Sequence, residues 1–281
     1  MLFDVLNKIS VTCFFTSYLV ALLLELSKVF GTFKWRTPAV LGMMGIGIFT
    51  HVSFLFLRVV DLAVEDDRGL LASWAEWSLL LALGLAICFV IGFLRQRETI
   101  ISFFFLPLIL ATILVGIGVG GWTPFSRTQA VDAWRSLHGL SMMLGTGAVL
   151  IGFLAGVMYL VQARRLKRKH AGSKRFRLPT LETLDRTNRQ ALVVSTSAVA
   201  VGVVAGVVMN VNLSSDGQVN WLDRGIVLSM VLFLWLVAAT VAEFFYTPVS
   251  RGRKAFYMTL ATLGFLVLAL VSVVFSSHGV S

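Results

Sequence analysis

The stretch LHGLSMMLGTGAVLIGFLAGVMYLVQARRLK, residues 137–167, decides the fold class. No Asp, Glu, Lys or Arg interrupts it from 137 to 163, and the basic cluster RRLK (164–167) then follows. A bilayer core about 30 Å thick is crossed by roughly 20 apolar residues in a helix. Because the run lacks the alternation of a barrel strand, and unpaired backbone amides are not tolerated in lipid, it predicts a transmembrane helix.

The rest of the chain has the same character. It contains 281 residues, of which 57% are hydrophobic and 14% charged, and its mean hydropathy is +0.87. A soluble domain usually carries about 25% charged residues. The shortage of charge therefore indicates an integral membrane protein. The net charge is +10, but most basic residues lie in loops between apolar runs, which membrane topology and contact with lipid headgroups explain better than nucleic-acid binding.

We predict an all-α bundle of about eight transmembrane helices that forms a single membrane domain, residues 1–281. The only sizeable loop is basic and covers 163–189. Within it, Leu178, Leu181 and Leu184 are spaced as on a short amphipathic helix at the inner membrane face. The spans are predicted at about 10–30, 38–60, 75–94, 100–119, 137–162, 190–210, 225–246 and 255–275.

Loop charge predicts the orientation of the bundle. One set of loops is rich in Lys and Arg, around 28–36, 95–97, 163–189 and 251–254. The opposite loops carry most of the Asp residues and only scattered Arg. Positive loops stay in the cytoplasm, so both termini are expected on the non-cytoplasmic side.

The sequence carries no enzyme signature. It has no Walker A loop, no GxSxG elbow and no HExxH, so we assign no catalytic residue. Glu25 and Glu243 fall near the predicted cytoplasmic helix ends, not at the midplane where ion-coupled transporters place acidic residues. Cys13 and Cys88 form no CxxCH motif, which favours a packing role over covalent haem attachment.

Three of the four histidines occupy informative places. His51 lies inside the second span, where an imidazole requires a hydrogen bond, a ligand or a polar cavity. For a lone histidine, an interhelical hydrogen bond is the simpler explanation. His138 opens the fifth span and His278 follows the eighth, both on the predicted outer side. If these helix ends adjoin, the two imidazoles can ligate one haem iron from opposite sides.

Other polar and aromatic residues extend this hypothesis. Trp221 and Asp223 lie in an outer loop, where Trp221 is either an interfacial aromatic or a wall of a planar ligand site. Arg58 lies seven residues after His51 on the same helical face, within reach of a propionate of a haem on His51. Alternatively, Arg58 reaches the interface or pairs with Asp61.

The chain resembles the cytochrome c assembly protein family of haem-handling membrane proteins, and most closely its HemX-like branch. The span 137–167 is similar to a family helix that begins with an outer histidine and ends in a basic loop. Further similar segments are HVSFLFLR (51–58), SWAEWSLLLAL (73–83), RLPTLETLDRTNRQ (177–190), SRGRKA (250–255) and SSHG (276–279).

The resemblance implies a protein of the bacterial cytoplasmic membrane that assists cytochrome c biogenesis or haem trafficking. It would bind haem b non-covalently and present it at the outer face, with apocytochrome c or a maturation protein as partner. By position, His138 and His278 match the family's iron ligands and His51 matches a deeper intramembrane histidine. Arg135 or Arg224 would then pair with the propionates, because Arg suits bidentate carboxylate recognition.

The sequence departs from the family in two places, and this keeps other functions open. An intramembrane histidine that the resemblance implies near the inner end of span 7 is absent, and FFYTP (244–248) stands in its place. Where full members have a tryptophan-rich segment, this chain has NWLDRG (220–225), so Trp221 and Asp223 are what remains of it. One alternative is a regulatory or assembly protein that binds no haem and acts through its basic loop. The others are a small-molecule transporter, with a helix break near Pro107, and a quinol-linked b-type cytochrome.

Overall fold

A computed structural model describes the chain at residues 10–29, 31, 35–65, 73–95, 101–118, 133–167, 178–212, 220–245 and 260–267, the last without 262 and 265. Within these ranges the backbone is helical and forms no strand. The helices are α1 (Val11–Leu26), α2 (Arg36–Glu65), α3 (Trp74–Arg95), α4 (Ser102–Gly118), α5 (Ala133–Lys167), α6 (Leu181–Asn212) and α7 (Arg224–Phe245), and a 3₁₀ turn, Ser27–Val29, follows α1.

Five of these helices are long and apolar enough to cross a membrane: α2 over Arg36–Arg58, α3, α5, α6, and α7 over Arg224–Glu243. The apolar helices α1 and α4 are shorter. The all-α membrane class is therefore confirmed for the described part of the chain. The predicted eighth span shows helical backbone within 260–267 and otherwise lies outside the described residues, as do both termini. The count of eight spans stays a prediction.

The helices group into two compact units, α1–α4 and α5–α7. In the first unit, α1 packs against α2 and α4, and α3 packs against α2 and α4. Its core is rich in aromatic side chains, because Phe14 and Tyr18 of α1 and Phe89 and Phe93 of α3 are all buried. The prediction of one membrane domain over residues 1–281 is not tested by this grouping.

In the second unit, α5 and α6 pack closely through small residues. A Cβ on Gly145 would lie 2.7 Å from Cγ2 of Val199, and one on Gly202 would lie 2.9 Å from Sδ of Met142. Small residues at such contacts let transmembrane helices approach until their backbones are close. On the other side of α6, the hydroxyls of Thr196 and Thr240 lie 2.7 Å apart and join α6 to α7.

The basic loop is shorter than the sequence predicts. α5 continues to Lys167, and α6 already begins at Leu181, where the Thr180 hydroxyl accepts a hydrogen bond from the amide of Thr183. Leu181 and Leu184 therefore belong to the first turns of the 32-residue helix α6, not to a separate amphipathic helix. At 1.5 Å per residue, α6 is about 48 Å long, which exceeds the bilayer core and projects beyond it.

Candidate functional site

The candidate site lies where α5 begins, α6 ends and α7 begins. α5 and α6 are antiparallel. Gly145 of α5 contacts Val199 of α6, whereas His138, near the start of α5, contacts Gly206, near the end of α6. The hydroxyls of Thr196 and Thr240 are hydrogen-bonded, and Thr196 lies as many residues before the end of α6 as Thr240 lies after the start of α7. The three helix termini therefore share one end of the second unit, which we call the His138 end.

His138 is held by the backbone of α6. Its Nδ1 lies 2.7 Å from the carbonyl oxygen of Gly202. A carbonyl only accepts hydrogen bonds, so Nδ1 carries the proton and donates it. In the neutral imidazole the lone pair then resides on Nε2. Metal-ligating histidines commonly donate their second ring nitrogen to a carbonyl in this way, which fixes the tautomer and the ring orientation.

Gly206 provides the space that the His138 ring occupies. A Cβ at Gly206 would lie 2.9 Å from Nδ1 and 3.1 Å from Cε1 of His138. Real Cβ atoms essentially never show a contact below 3.0 Å, so a side chain at 206 would shift the imidazole. The position of His138 thus depends on two glycines, one that contributes its carbonyl and one that lacks a side chain.

Two further polar residues are buried at the His138 end. Arg135 lies one turn before His138 on α5 and is 3% exposed, and Asn210 lies one turn after Gly206 on α6 and is buried. Sequence reasoning proposed Arg135 but missed Asn210, Gly202 and Gly206. The spacing GVVAG (202–206), a small-xxx-small pattern followed by an Asn near a span end, is the signal that points to them.

The loop residues at the same end have structural roles of their own. Asp223 caps α7, because its Oδ1 accepts a hydrogen bond from the amide of Gly225 at 2.8 Å. The preceding turn is closed by the Asp223 amide, which donates to the carbonyl of Asn220. Trp221 is 48% exposed, and Arg224 is exposed at the first position of α7. Both are accessible to a ligand at the surface of this end.

His51 belongs to the first unit and is completely buried there. Its ring stacks on Phe14 with centroids 4.0 Å apart, and its Nδ1 lies 3.3 Å from the Tyr18 hydroxyl. Among the described residues Nε2 has no well-oriented hydrogen-bond partner, although the backbone of Leu79 on α3 interacts with the imidazole. The interhelical hydrogen bond expected for a lone intramembrane histidine is therefore present, with Tyr18 as its partner.

Arg58 forms an ion pair with a residue of α3. Its Nε lies 3.7 Å from Oε1 of Glu76, and its side chain is 55% exposed. Glu76 also forms a capping box with Ser73, in which each side chain accepts a hydrogen bond from the backbone amide of the other residue. Asp61, the proposed partner, has a side chain outside the described set, so the ion pair that the structure shows is Arg58–Glu76.

A second polar cluster, which the sequence did not predict, lies in the first unit at the end of α1. Oε2 of the buried Glu25 accepts a hydrogen bond from the Ser102 hydroxyl at the start of α4. The same carboxylate lies 3.4 Å from Nζ of Lys28 and 3.5 Å from Nε of Arg36. This Glu25 cluster joins the end of α1 to the starts of α2 and α4.

The residues at the His138 end have the chemistry that a haem group requires. An imidazole whose Nδ1 donates to a carbonyl suits axial ligation through Nε2, and two arginines suit the propionates. The small cavity between α5 and α6, lined in part by Asn188 and Ser195, has a volume of about 10 Å³ and holds at most one water. This cavity lies toward the start of α6, away from the His138 end.

The other predicted ligand, His278, lies outside the described residues. Within the described ranges no group of three or more His, Cys, Asp or Glu side chains gathers as a metal site. Haem needs only two axial nitrogens, so this finding bears on other metal centres and not on a bis-histidine haem.

The long apolar helices define a multi-pass membrane protein. Where α5 begins, α6 ends and α7 begins, it has a polar site that contains His138. The sequence matches the model of the Cytochrome C assembly protein family over residues 71–281. The chain therefore belongs to the cytochrome c assembly protein family, and its role lies in cytochrome c biogenesis. The comparisons with curated proteins and with solved structures found no match.

Some of the candidate residues lie inside the region that matches the family and others lie before it. The proposed ligands His138 and His278 and the loop residue Trp221 fall inside 71–281. His51 and Arg58 precede the matched region, so the family assignment does not extend to them.

Proposed function

We propose that this protein binds haem b at the His138 end, on the non-cytoplasmic side of the membrane, and presents it for cytochrome c assembly. His138 and His278 are the axial ligands, Trp221 flanks the porphyrin, and Arg135 or Arg224 pairs with the propionates. Asp223 holds the start of α7, which carries Arg224. The observation that supports this proposal most strongly is the hydrogen bond from His138 Nδ1 to the Gly202 carbonyl, because it directs the lone pair of Nε2 to a ligand.

The bound iron porphyrin would be the group transferred, and the protein's own task is to hold and orient it. Haem is apolar across its plane and anionic at its propionates, which matches an exposed Trp221 three residues before the exposed Arg224, with Arg135 buried at the same end. In this proposal the protein binds and presents haem without making or breaking a covalent bond, so it needs no catalytic residue. His51 and Arg58 form a possible deeper site in the proposal, although the packing of Phe14 and Tyr18 around His51 already accounts for its burial.

The transporter alternative would be supported by a helix break marked by Pro107 and the glycines of 115–121. α4 is continuous from Ser102 through Pro107 to Gly118, and residues 119–121 lie outside the described part of the chain. The regulatory alternative depends on the basic loop, whose central part, 168–177, lies outside the described residues. It remains the rival that the following experiment separates from haem presentation.

Complementation tests the proposed function. A host strain without this protein is expected to lose covalently haem-stained c-type cytochromes from its membranes. The wild-type chain should restore them, and the His138→Ala chain should not. A variant with the basic residues of 164–175 neutralised is the matched control and should complement. If the loop variant fails while His138→Ala complements, the regulatory function replaces the one proposed here.

A further inference from the structure

The close contact between α5 and α6 at the His138 end points to a further role for two glycines, and this inference rests on the proposed function. We propose that Gly206 is a positioning residue for haem ligation, and that it forms with the Gly202 carbonyl an imidazole seat for His138. The seat sets both the tautomer and the direction of the ligating nitrogen. Neither glycine touches the iron, and both act through the His138 ring.

The first observation is the hydrogen bond itself. Gly202 is an interior residue of α6, so its carbonyl is fixed along the helix axis and accepts from Nδ1 at 2.7 Å. A histidine ring that is free to rotate exposes either nitrogen to a ligand. A ring whose Nδ1 is bonded to a rigid backbone atom presents Nε2 alone.

The second observation is the absence of a side chain one helical turn further along α6. The ring of His138 occupies the place of a Cβ at Gly206, at 2.9 Å from Nδ1 and 3.1 Å from Cε1. An alanine there must push the ring aside, because the backbone of α6 is held by its contact with α5 at Gly145 and Gly202. The displaced Nδ1 then loses its alignment with the Gly202 carbonyl.

The absent side chain of Gly206 therefore has a different role from those of the other glycines at this interface. At Gly145 and Gly202, an added Cβ meets the apolar atoms of Val199 and Met142, so those glycines serve packing. At Gly206 the atom that it meets is the nitrogen of a predicted ligand. A packing role predicts a change in stability alone, whereas the seat predicts a change in the electronic environment of the iron.

Gly206→Ala tests the seat, with Gly264→Ala as the matched control, because Gly264 belongs to the same unit and has no atom within 4 Å of its added Cβ. In hemin titrations of the purified full chain, Gly206→Ala should bind about 10–100-fold more weakly, the usual effect of losing an outer-shell partner of a ligating histidine. Its bound hemin should show a high-spin component that wild type and Gly264→Ala lack. Unchanged affinity and an unchanged low-spin spectrum would overturn the seat.

A haem-free measurement separates this inference from the proposed function. In ¹⁵N-histidine-labelled protein in detergent, the His138 signal, assigned by its loss in His138→Ala, should show Nδ1 protonated and Nε2 unprotonated. Gly206→Ala should shift this signal toward a mixture of tautomers. Protonation of Nε2 in the wild type would overturn the seat even if hemin binds. Conversely, a wild type that shows the expected tautomer but binds no hemin would contradict haem presentation and leave the seat intact.

Discussion

Replacing His138 by Ala is expected to remove most of the bound haem and to leave the fold in place. The loss of an axial ligand should weaken hemin binding by more than the roughly 10–100-fold that outer-shell changes cause. The fold should survive because the lost interhelical hydrogen bond, His138 to Gly202, contributes only about 0.6 kcal/mol in typical membrane proteins. Size-exclusion chromatography and thermal unfolding should therefore resemble those of the wild type.

The measurement is haem content per protein, from the pyridine haemochrome, together with the reduced spectrum. His278→Ala should behave in the same way, because the two residues are proposed to ligate opposite sides of one iron. His170→Ala, which changes a histidine of the basic loop, is the control and should retain haem. If both ligand variants keep full haem with an unchanged spectrum, the proposed site at the His138 end is wrong.

Replacing Glu25 by Gln is expected to destabilise the first unit strongly. The Glu25 carboxylate lies between Lys28 and Arg36, whose side chains are only 6% and 12% exposed. The substitution keeps the shape and leaves the Ser102 hydroxyl an oxygen to bond, but it removes the only negative charge that the described cluster offers. Removing one partner of a buried ion pair typically costs about 3–5 kcal/mol, because the opposite charge stays buried after its favourable interaction is lost.

Glu76→Gln is the matched control for this change. Its partner Arg58 has a side chain that is 55% exposed, and such ion pairs contribute only about 0–1 kcal/mol. Gln also preserves the capping box with Ser73, since either residue serves at that position. Unfolding in mixed micelles should show a large decrease in the free energy of unfolding for Glu25→Gln and a small decrease for Glu76→Gln. Equal stability of the two variants would show that the Glu25 cluster does not hold the first unit together.

The helices of this protein could be predicted from its sequence because their signal is local. An apolar run of membrane length identifies a helix without any knowledge of its neighbours, so the predicted span 75–94 agrees with α3, Trp74–Arg95, to within a residue at each end. Helix ends outside the bilayer were harder to place. α6 begins nine residues before the predicted span at 190, because its first turns are capped by Thr180 but too polar to be recognised as part of an apolar span.

The partners of the polar residues could not be predicted in the same way, because they depend on which helices adjoin and in what register. The sequence placed Glu25 near a helix end but could not show Ser102, far along the chain, beside it. Likewise, the sequence offered a haem propionate, the membrane interface or Asp61 for Arg58, but not Glu76 in the first turn of the next helix, with which it forms an ion pair. For His138 the residue type and position were enough to suggest a ligand, but its seat on α6 is a contact between helices.

The absorption spectrum of the wild-type protein tests haem binding most directly. The full chain should be expressed with adequate haem supply, purified in detergent, and measured oxidised and after reduction with dithionite. Bound haem with two axial histidines should give a Soret band and, on reduction, sharp α and β bands of low-spin iron. A featureless spectrum that stays featureless after hemin is added would contradict the account, and the family role in cytochrome c biogenesis would then have to be performed without haem binding by this chain.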